Sequence, residues 1–135
     1  MRIRLSPATV HNDFIRKVEE MSGQDLLKCY QCGECSAGCP AAFAMDLLPN
    51  QVIRLLQLGE YETVLQSKTI WLCAACQQCY TRCPKGVDLS RIMEVLRDLL
   101  MLEQGDKIVI EKLPAETLAE FPQQAFISGF RKYTA

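Results

Sequence analysis

Outside two short runs the sequence has no cysteine, and nowhere do two cysteines adjoin. It has a single histidine, His11, which sits on the polar side of its segment and reads as a solvated side chain, not a metal ligand. Its glycines are isolated, and no Gly-x-Gly-x-x-Gly stretch occurs, so neither a flavin nor a nicotinamide site is visible. No apolar run approaches the length of a membrane span, and no basic amphipathic face suggests a surface helix. The opening Met1-Arg2-Ile3-Arg4-Leu5 carries neither an apolar leader nor a cleavage site, which predicts a soluble, cytoplasmic protein in a reducing compartment. Charge of one sign is also lacking. The formal net charge of the 135 residues is −1, which argues against a nucleic-acid binder.

What is present is concentrated in those two runs. The first is Cys29-Tyr30-Gln31-Cys32-Gly33-Glu34-Cys35-Ser36-Ala37-Gly38-Cys39-Pro40, and the second is Cys73-Ala74-Ala75-Cys76-Gln77-Gln78-Cys79-Tyr80-Thr81-Arg82-Cys83-Pro84. Each is C-x2-C-x2-C-x3-C-P, the ligand spacing of bacterial-type [4Fe–4S] clusters, and together they use all eight cysteines. Three thiolates three residues apart let one tight coil wrap three corners of a cubane, so the fourth must come from elsewhere. In two-cluster ferredoxins it comes from the other run, and the proline turns the chain away from its own loop. The expected ligands are therefore Cys29, Cys32, Cys35 and Cys83 for one cluster, and Cys73, Cys76, Cys79 and Cys39 for the other. Paired C-x2-C elements also make zinc sites, but two zinc sites would need neither the third spacing nor the proline. Each oxidised cluster with its thiolates carries about −2, which takes the loaded chain to about −5. A chain this short should depend on its clusters for much of its stability.

The surrounding pattern is helical. Val10, Phe14, Val18 and Met21 mark a helix over 7–21, with Ser6 as N-cap, Pro7 in the first turn and Gly23 at the end. Gly33 and Gly38 are read as residues that permit tight turns in the first run. A helix should open near Asp46 or Pro49, bury Val52, Ile53, Leu55 and Leu56, and stop at Gly59. Residues 61–66 suggest another short helix. Trp71, just before the second run, reads as core packing over a cluster. Asp88 should cap the strongest helix, with Ile92, Val95, Leu96, Leu99 and Leu100 on one face. The cysteines repeat at a fixed offset of 44, from Cys29 to Cys73 through Cys39 to Cys83. Each copy runs loop, Cys-Pro, amphipathic helix, so an all-α cluster domain is expected in place of a β-rich ferredoxin sandwich. Residues 107–112 suggest a short extended stretch. Beyond Pro114 come Phe121, Phe126, Ile127, Phe130 and Tyr133, broken by Pro114, Pro122 and Gly129.

Three stretches carry a resemblance. Leu27-Lys28-Cys29-Tyr30-Gln31-Cys32-Gly33, Ile70-Trp71-Leu72-Cys73 and Phe121-Pro122-Gln123-Gln124-Ala125 together resemble the C-type subunit of heterodisulfide reductase. The resemblance implies an α-helical ferredoxin fold with two [4Fe–4S] clusters. It also implies a division into an N-terminal helical segment (1–28), a two-cluster domain (29–105) and a C-terminal tail (106–135) that docks a partner. The implied partners are a flavin- and cluster-bearing A-type subunit and a catalytic B-type subunit acting on disulfide, thiol or sulfur substrates. This chain would relay single electrons between them and hold no catalytic residue of its own. Two other classes share parts of the pattern. One is the iron–sulfur subunit of a flavin-linked dehydrogenase of the succinate, glycolate or glycerol-3-phosphate type, which would usually add a further cluster domain or CCG segments. The other is a zinc-stabilised interaction module.

Overall fold

The computed structural model describes residues 6–104 and 112–131. Among these the secondary structure is helical, with no strand, as the sequence pattern requires. The chain divides after Leu100 into two compact units.

In the first unit the opening helix is two helices, α1 (Pro7–Val10) and α2 (Asp13–Ser22). Ser6 caps α1, its hydroxyl accepting from the Thr9 N–H at 3.1 Å, and Gly23 closes α2 with a left-handed φ of 64°. The break falls at Asn12 because its side chain has three partners. It accepts from the Ile15 N–H, which caps α2, and donates to the Thr9 and Gly59 carbonyls. The split turns Ile15, Val18 and Ser22 into the core, while Met21 faces solvent.

After a 3-10 turn (Leu26–Lys28), the first cysteine run contains α3 (Glu34–Ala37), and a second 3-10 turn (Ala42–Ala44) follows. Next comes α4 (Pro49–Gln57), which buries Val52, Ile53 and Leu56 but leaves Leu55 partly exposed. Then come α5 (Tyr61–Leu65) and α6 (Thr69–Leu72), with the Tyr61 ring stacked on Phe14 of α2 at 4.2 Å. The second run contains α7 (Gln78–Arg82), and α8 (Leu89–Gln104) follows it. Asp88 caps α8 by accepting from the Arg91 N–H at 3.1 Å. The expected face of α8 is buried at Ile92, Val95, Leu96 and Leu99, joined by Leu89 and Met93, with Leu100 at its margin. These side chains meet α4, Val18, Leu26, Val64 and Ile70 in one core.

Trp71 departs from its expected place: its neighbours Thr69 and Ile70 are fully buried, while the indole is 52% exposed. A helix of one turn has room for one buried face, and Ile70 occupies it. The second unit contains α9 (Ala115–Glu120), entered at Pro114, and α10 (Gln123–Arg131), entered just after Pro122. Gly129 does not break the segment; α10 runs through it. Phe121 meets Phe126 edge to face at 6.2 Å. Most of the expected stretch over 107–112, together with Tyr133, lies outside the described residues.

Gly59, at the end of α4, lies close against the N-terminal helices. Its φ is +79°, and a Cβ there would lie 2.0 Å from the Thr9 carbonyl oxygen. Gly23 is also left-handed, with nothing within 4 Å of the equivalent position. Gly23→Ala should therefore cost only backbone strain, about 1 kcal/mol, whereas Gly59→Ala should cost well over about 2 kcal/mol. The guanidinium midpoint for loss of iron–sulfur absorbance, taken anaerobically, should fall in that order. Equal midpoints would show that the Thr9 approach is unimportant.

Candidate metal centre

The two cysteine runs share a backbone conformation as well as a spacing. Gln31 and Ala75, equivalent under the 44-residue offset, both have positive φ, 63° and 51°. The next equivalent pair, Gly33 and Gln77, is also left-handed, at 83° and 61°, and each is the N-cap of a short helix, α3 or α7. Alternation of left-handed with ordinary backbone curls a coil so that successive N–H groups face inward, which forms a concave site for anionic sulfur. Glycine adopts this conformation freely, but Gln31, Ala75 and Gln77 hold it against a cost of about 1 kcal/mol each. Such strain persists where a site demands it.

Sulfurs of the two runs come close to one another in space. Cys39 of the first run lines one cavity with Cys73, Cys76 and Cys79 of the second, closed by Pro40, Met45, Leu89 and Met93. In the first run, Cys35 lies within the electrostatic reach of Cys29 and Cys32. Tyr30 joins this group to the other run. Its phenol is held above its ordinary value, first by its bond to the Cys32 thiol, then by slight desolvation and the charges of Cys32, Cys83 and Glu34. Among the described residues no three His, Cys, Asp or Glu side chains converge as ligands of one metal ion. Four thiols drawn from both runs line the one cavity, a donor set that fits a [4Fe–4S] cluster.

The local chemistry fits thiolate ligation. Burial pushes the Cys79 thiol up to about 11, against the pull of the Ser90 backbone N–H at the start of α8. Burial also raises Cys35, opposed by hydrogen bonds from Ser36. A thiolate at either place needs a cation or further donors to offset its desolvation, and iron ligation provides that while releasing the proton. Other donors are already aimed at sulfur: the Val87 N–H lies 3.3 Å from Cys83 Sγ, and Gln31 Nε2 lies 3.4 Å from Cys29 Sγ. Exposure follows the order along each run, with Cys32 and Cys76 exposed and the other six cysteines partly buried.

Several residues that hold the site are not evident from the motif. Asp46 does not open a helix. Its carboxylate accepts from the Lys68 and Thr69 N–H groups and the Thr69 hydroxyl, so it caps α6 and ties the exit of the first run to the approach of the second. Those bonds, the Lys68 N–H foremost, hold its pKa down to about 2. Ser36 in the first run accepts from the Asn50 N–H at the start of α4. Gln24 accepts from the Asp88 N–H, fixing the exit of the second run. Gly38 turns with an ordinary φ of −95°, so left-handed freedom is not its role. A Cβ there would lie 2.3 Å from Cδ of Arg82, so it makes room for that side chain. Gly38 and Arg82 are themselves equivalent under the offset, as expected where two related loops meet about a pseudo-twofold.

Comparison with known proteins gives the class and then the relatives. Residues 25–87 match the family described as a 4Fe-4S dicluster domain, so this is an all-α dicluster domain that holds two [4Fe–4S] clusters for electron transfer. The C-type iron-sulfur subunit of CoB–CoM heterodisulfide reductase from Methanocaldococcus jannaschii, the second of that name, is 32% identical over 120 residues, 83% of this chain and 63% of that protein. A protein of Archaeoglobus profundus described as like the C-type subunit of heterodisulfide reductase is 30% identical over 83% of this chain and 60% of its own length. The C-type subunit of the ferredoxin:CoB-CoM heterodisulfide reductase of Methanosarcina acetivorans is 40% identical over 65% of this chain and 34% of its own length. These relatives are C-type subunits of heterodisulfide reductases or proteins like them, and the chain spans roughly a third to two thirds of their length. Among the described residues no helix is long and apolar enough to cross a membrane.

The paired left-handed positions yield a test. Gly33→Ala should lower stability by about 1 kcal/mol, because only the backbone preference changes there, and Gln77→Gly, which also removes a side chain from the lining of the cysteine cavity, should raise it by up to about 1 kcal/mol. Nothing lies within 4 Å of a Cβ at Gly33, so iron content should be unaffected. Denaturation midpoints of the loaded protein that move in the same direction for both variants would refute this account.

Proposed function

We propose that the chain is the electron-relay subunit of a heterodisulfide reductase-like complex. Single electrons pass through it between a flavin- and cluster-bearing A-type subunit and a catalytic B-type subunit acting on disulfide, thiol or sulfur substrates. Cys29, Cys32, Cys35 and Cys83 hold one cluster; Cys39, Cys73, Cys76 and Cys79 hold the other. The observation that carries this reading is a cavity lined by Cys39 together with the first three cysteines of the other run. Bound there, the clusters would supply one-electron transfer, and the chain's own residues fix the sulfurs. With every thiol committed to ligation, the chain offers no nucleophile for disulfide chemistry, which is assigned to the B-type partner. An all-thiolate site suits a reducing compartment, and the cytoplasm is the proposed location.

The crossed ligand sets are separable by substitution. Cys83→Ser should alter the cluster of the first run, Cys73→Ser should alter the other, and EPR of the reduced variants should show two different signals changed. Both substitutions striking one cluster would rule out crossing.

The tail over 106–135 is proposed as the docking segment for the catalytic partner. Phe121 and Ile127 are half exposed, and the segment supplies the aromatic and apolar anchors that dominate interfaces. Truncation after Leu113 should keep both clusters and lose capture of the B-type subunit. Unchanged capture, or loss of both clusters with the tail, would return the segment to the core.

A further inference from the structure

The helix after each cysteine run reaches back to hold the start of that run, and in both halves it does so on equivalent atoms. Gln57 of α4 donates Nε2 to the carbonyls of Leu26 and Cys29, each at 2.8 Å. Arg97 of α8 donates Nη1 to the carbonyls of Ile70 and Cys73, at 2.8 and 3.3 Å. Ile70 and Cys73 stand 44 residues after Leu26 and Cys29, so the same two carbonyls are capped in each half. The donor is a neutral amide in one half and a guanidinium in the other. Nothing in the packing of the entrances demands that difference, since one amide nitrogen already satisfies both carbonyls in the first half.

We propose that Arg97 sets the two clusters apart in potential, raising that of the cluster bound through Cys73, while Gln57 leaves the equivalent place uncharged. This deepens the electron-relay reading and rests on Cys73 being a ligand. A cluster gains one negative charge on reduction, so a fixed neighbouring cation favours the reduced form. Arg97 is a positioning residue that acts through the Cys73 backbone. A guanidinium is a fixed cation in proteins, and the Arg97 side chain is partly buried, where water screens it less than at the surface. The first half has cations too, but they differ in setting. Lys28, Arg54, Arg82 and Lys85 are exposed; Arg54 donates Nη1 to the Gln57 amide oxygen at 3.4 Å, one side chain further from the carbonyls than Arg97 stands from its own, and Lys85 is drawn over the Tyr30 ring at 5.8 Å from its centre. Water and salt weaken their effect on that cluster. The pairing of Gln57 with Arg97 therefore gives the domain a polarity: an electron entering at the Gln57 half comes to rest in the Arg97 half, from which it is delivered.

The test is an EPR-monitored redox titration of the fully loaded protein, with the second cluster identified as the signal altered by Cys73→Ser. Arg97→Gln recreates the neutral capping of the first half and should lower the midpoint of that cluster while leaving the other in place. Arg97→Lys keeps the charge with poorer capping and should titrate close to the native protein. An unmoved midpoint in Arg97→Gln, or equal shifts of both clusters, overturns the proposal. Should Arg97→Gln lose the second cluster, Arg97→Lys decides, an unmoved midpoint supporting the proposal and a fall overturning it. If Cys73→Ser alters neither cluster, it is the ligand reading that fails, and that result is distinct from either outcome at Arg97.

Discussion

A coil short enough to wrap three sulfurs around one centre cannot bring a fourth from the same turn, and the arrangement of this domain follows from that limit. The fourth cysteine of each run must lie beside the other run, so the two loops have to face each other. Cys39 lines one cavity with Cys73, Cys76 and Cys79, and Cys83 lies near Tyr30, which is the proximity that the proposed crossed ligation needs. The helices serve the same end. The strongest of them, α8, buries Ile92, Met93, Leu96 and Leu99 in the same core as Val52, Ile53 and Leu56 of α4, so each run is followed by an element anchored in that core. Cross-connections such as Asp46 to Thr69 and Gln24 to the Asp88 N–H then fix the entrance and exit of the loops at their ends.

The backbone inside the loops belongs to the same constraint. Left-handed residues at Gln31 and Ala75, and at Gly33 and Gln77, curl both coils alike, although only one of the four is glycine. That three side-chain-bearing residues accept this conformation indicates that the loop geometry is dictated by the site and not by local preference. Small domains have little hydrophobic area with which to hold such strain, and here the core of helices is supplemented by ligation.

Much of this is legible in the residues. The cysteine spacing defines the cofactor, the offset of 44 defines the repeat, and the Ser6 and Asp88 caps, the Gly23 stop and the apolar face of α8 are visible as local pattern. What local pattern misses is set by tertiary contact. The break at Asn12 depends on a bond to the distant Gly59 carbonyl, which no helical periodicity encodes. Size and hydrophobicity favour burial of the Trp71 indole, while the short α6 has one inner face and gives it to Ile70. The offset carries Gln31 onto Ala75, so the shared left-handed turns have a sequence signal, but a glutamine and an alanine do not advertise positive φ. Gln57 and Arg97 have no such signal, since they lie 40 residues apart and fall out of the repeat that relates the carbonyls they hold.

The contact between Gly38 and Arg82 has a consequence for how such a domain can be altered. These two residues occupy the same place in their respective halves, yet one is the absence of a side chain and the other is a long one lying in the space so left. Repeating either residue in both halves would remove this complementarity: two arginines would compete for one space, and two glycines would leave it unfilled. An exposed arginine can swing aside, so the seam tolerates change. As it stands, the two loops, alike in ligand spacing and backbone turn, present different surfaces to whatever approaches them.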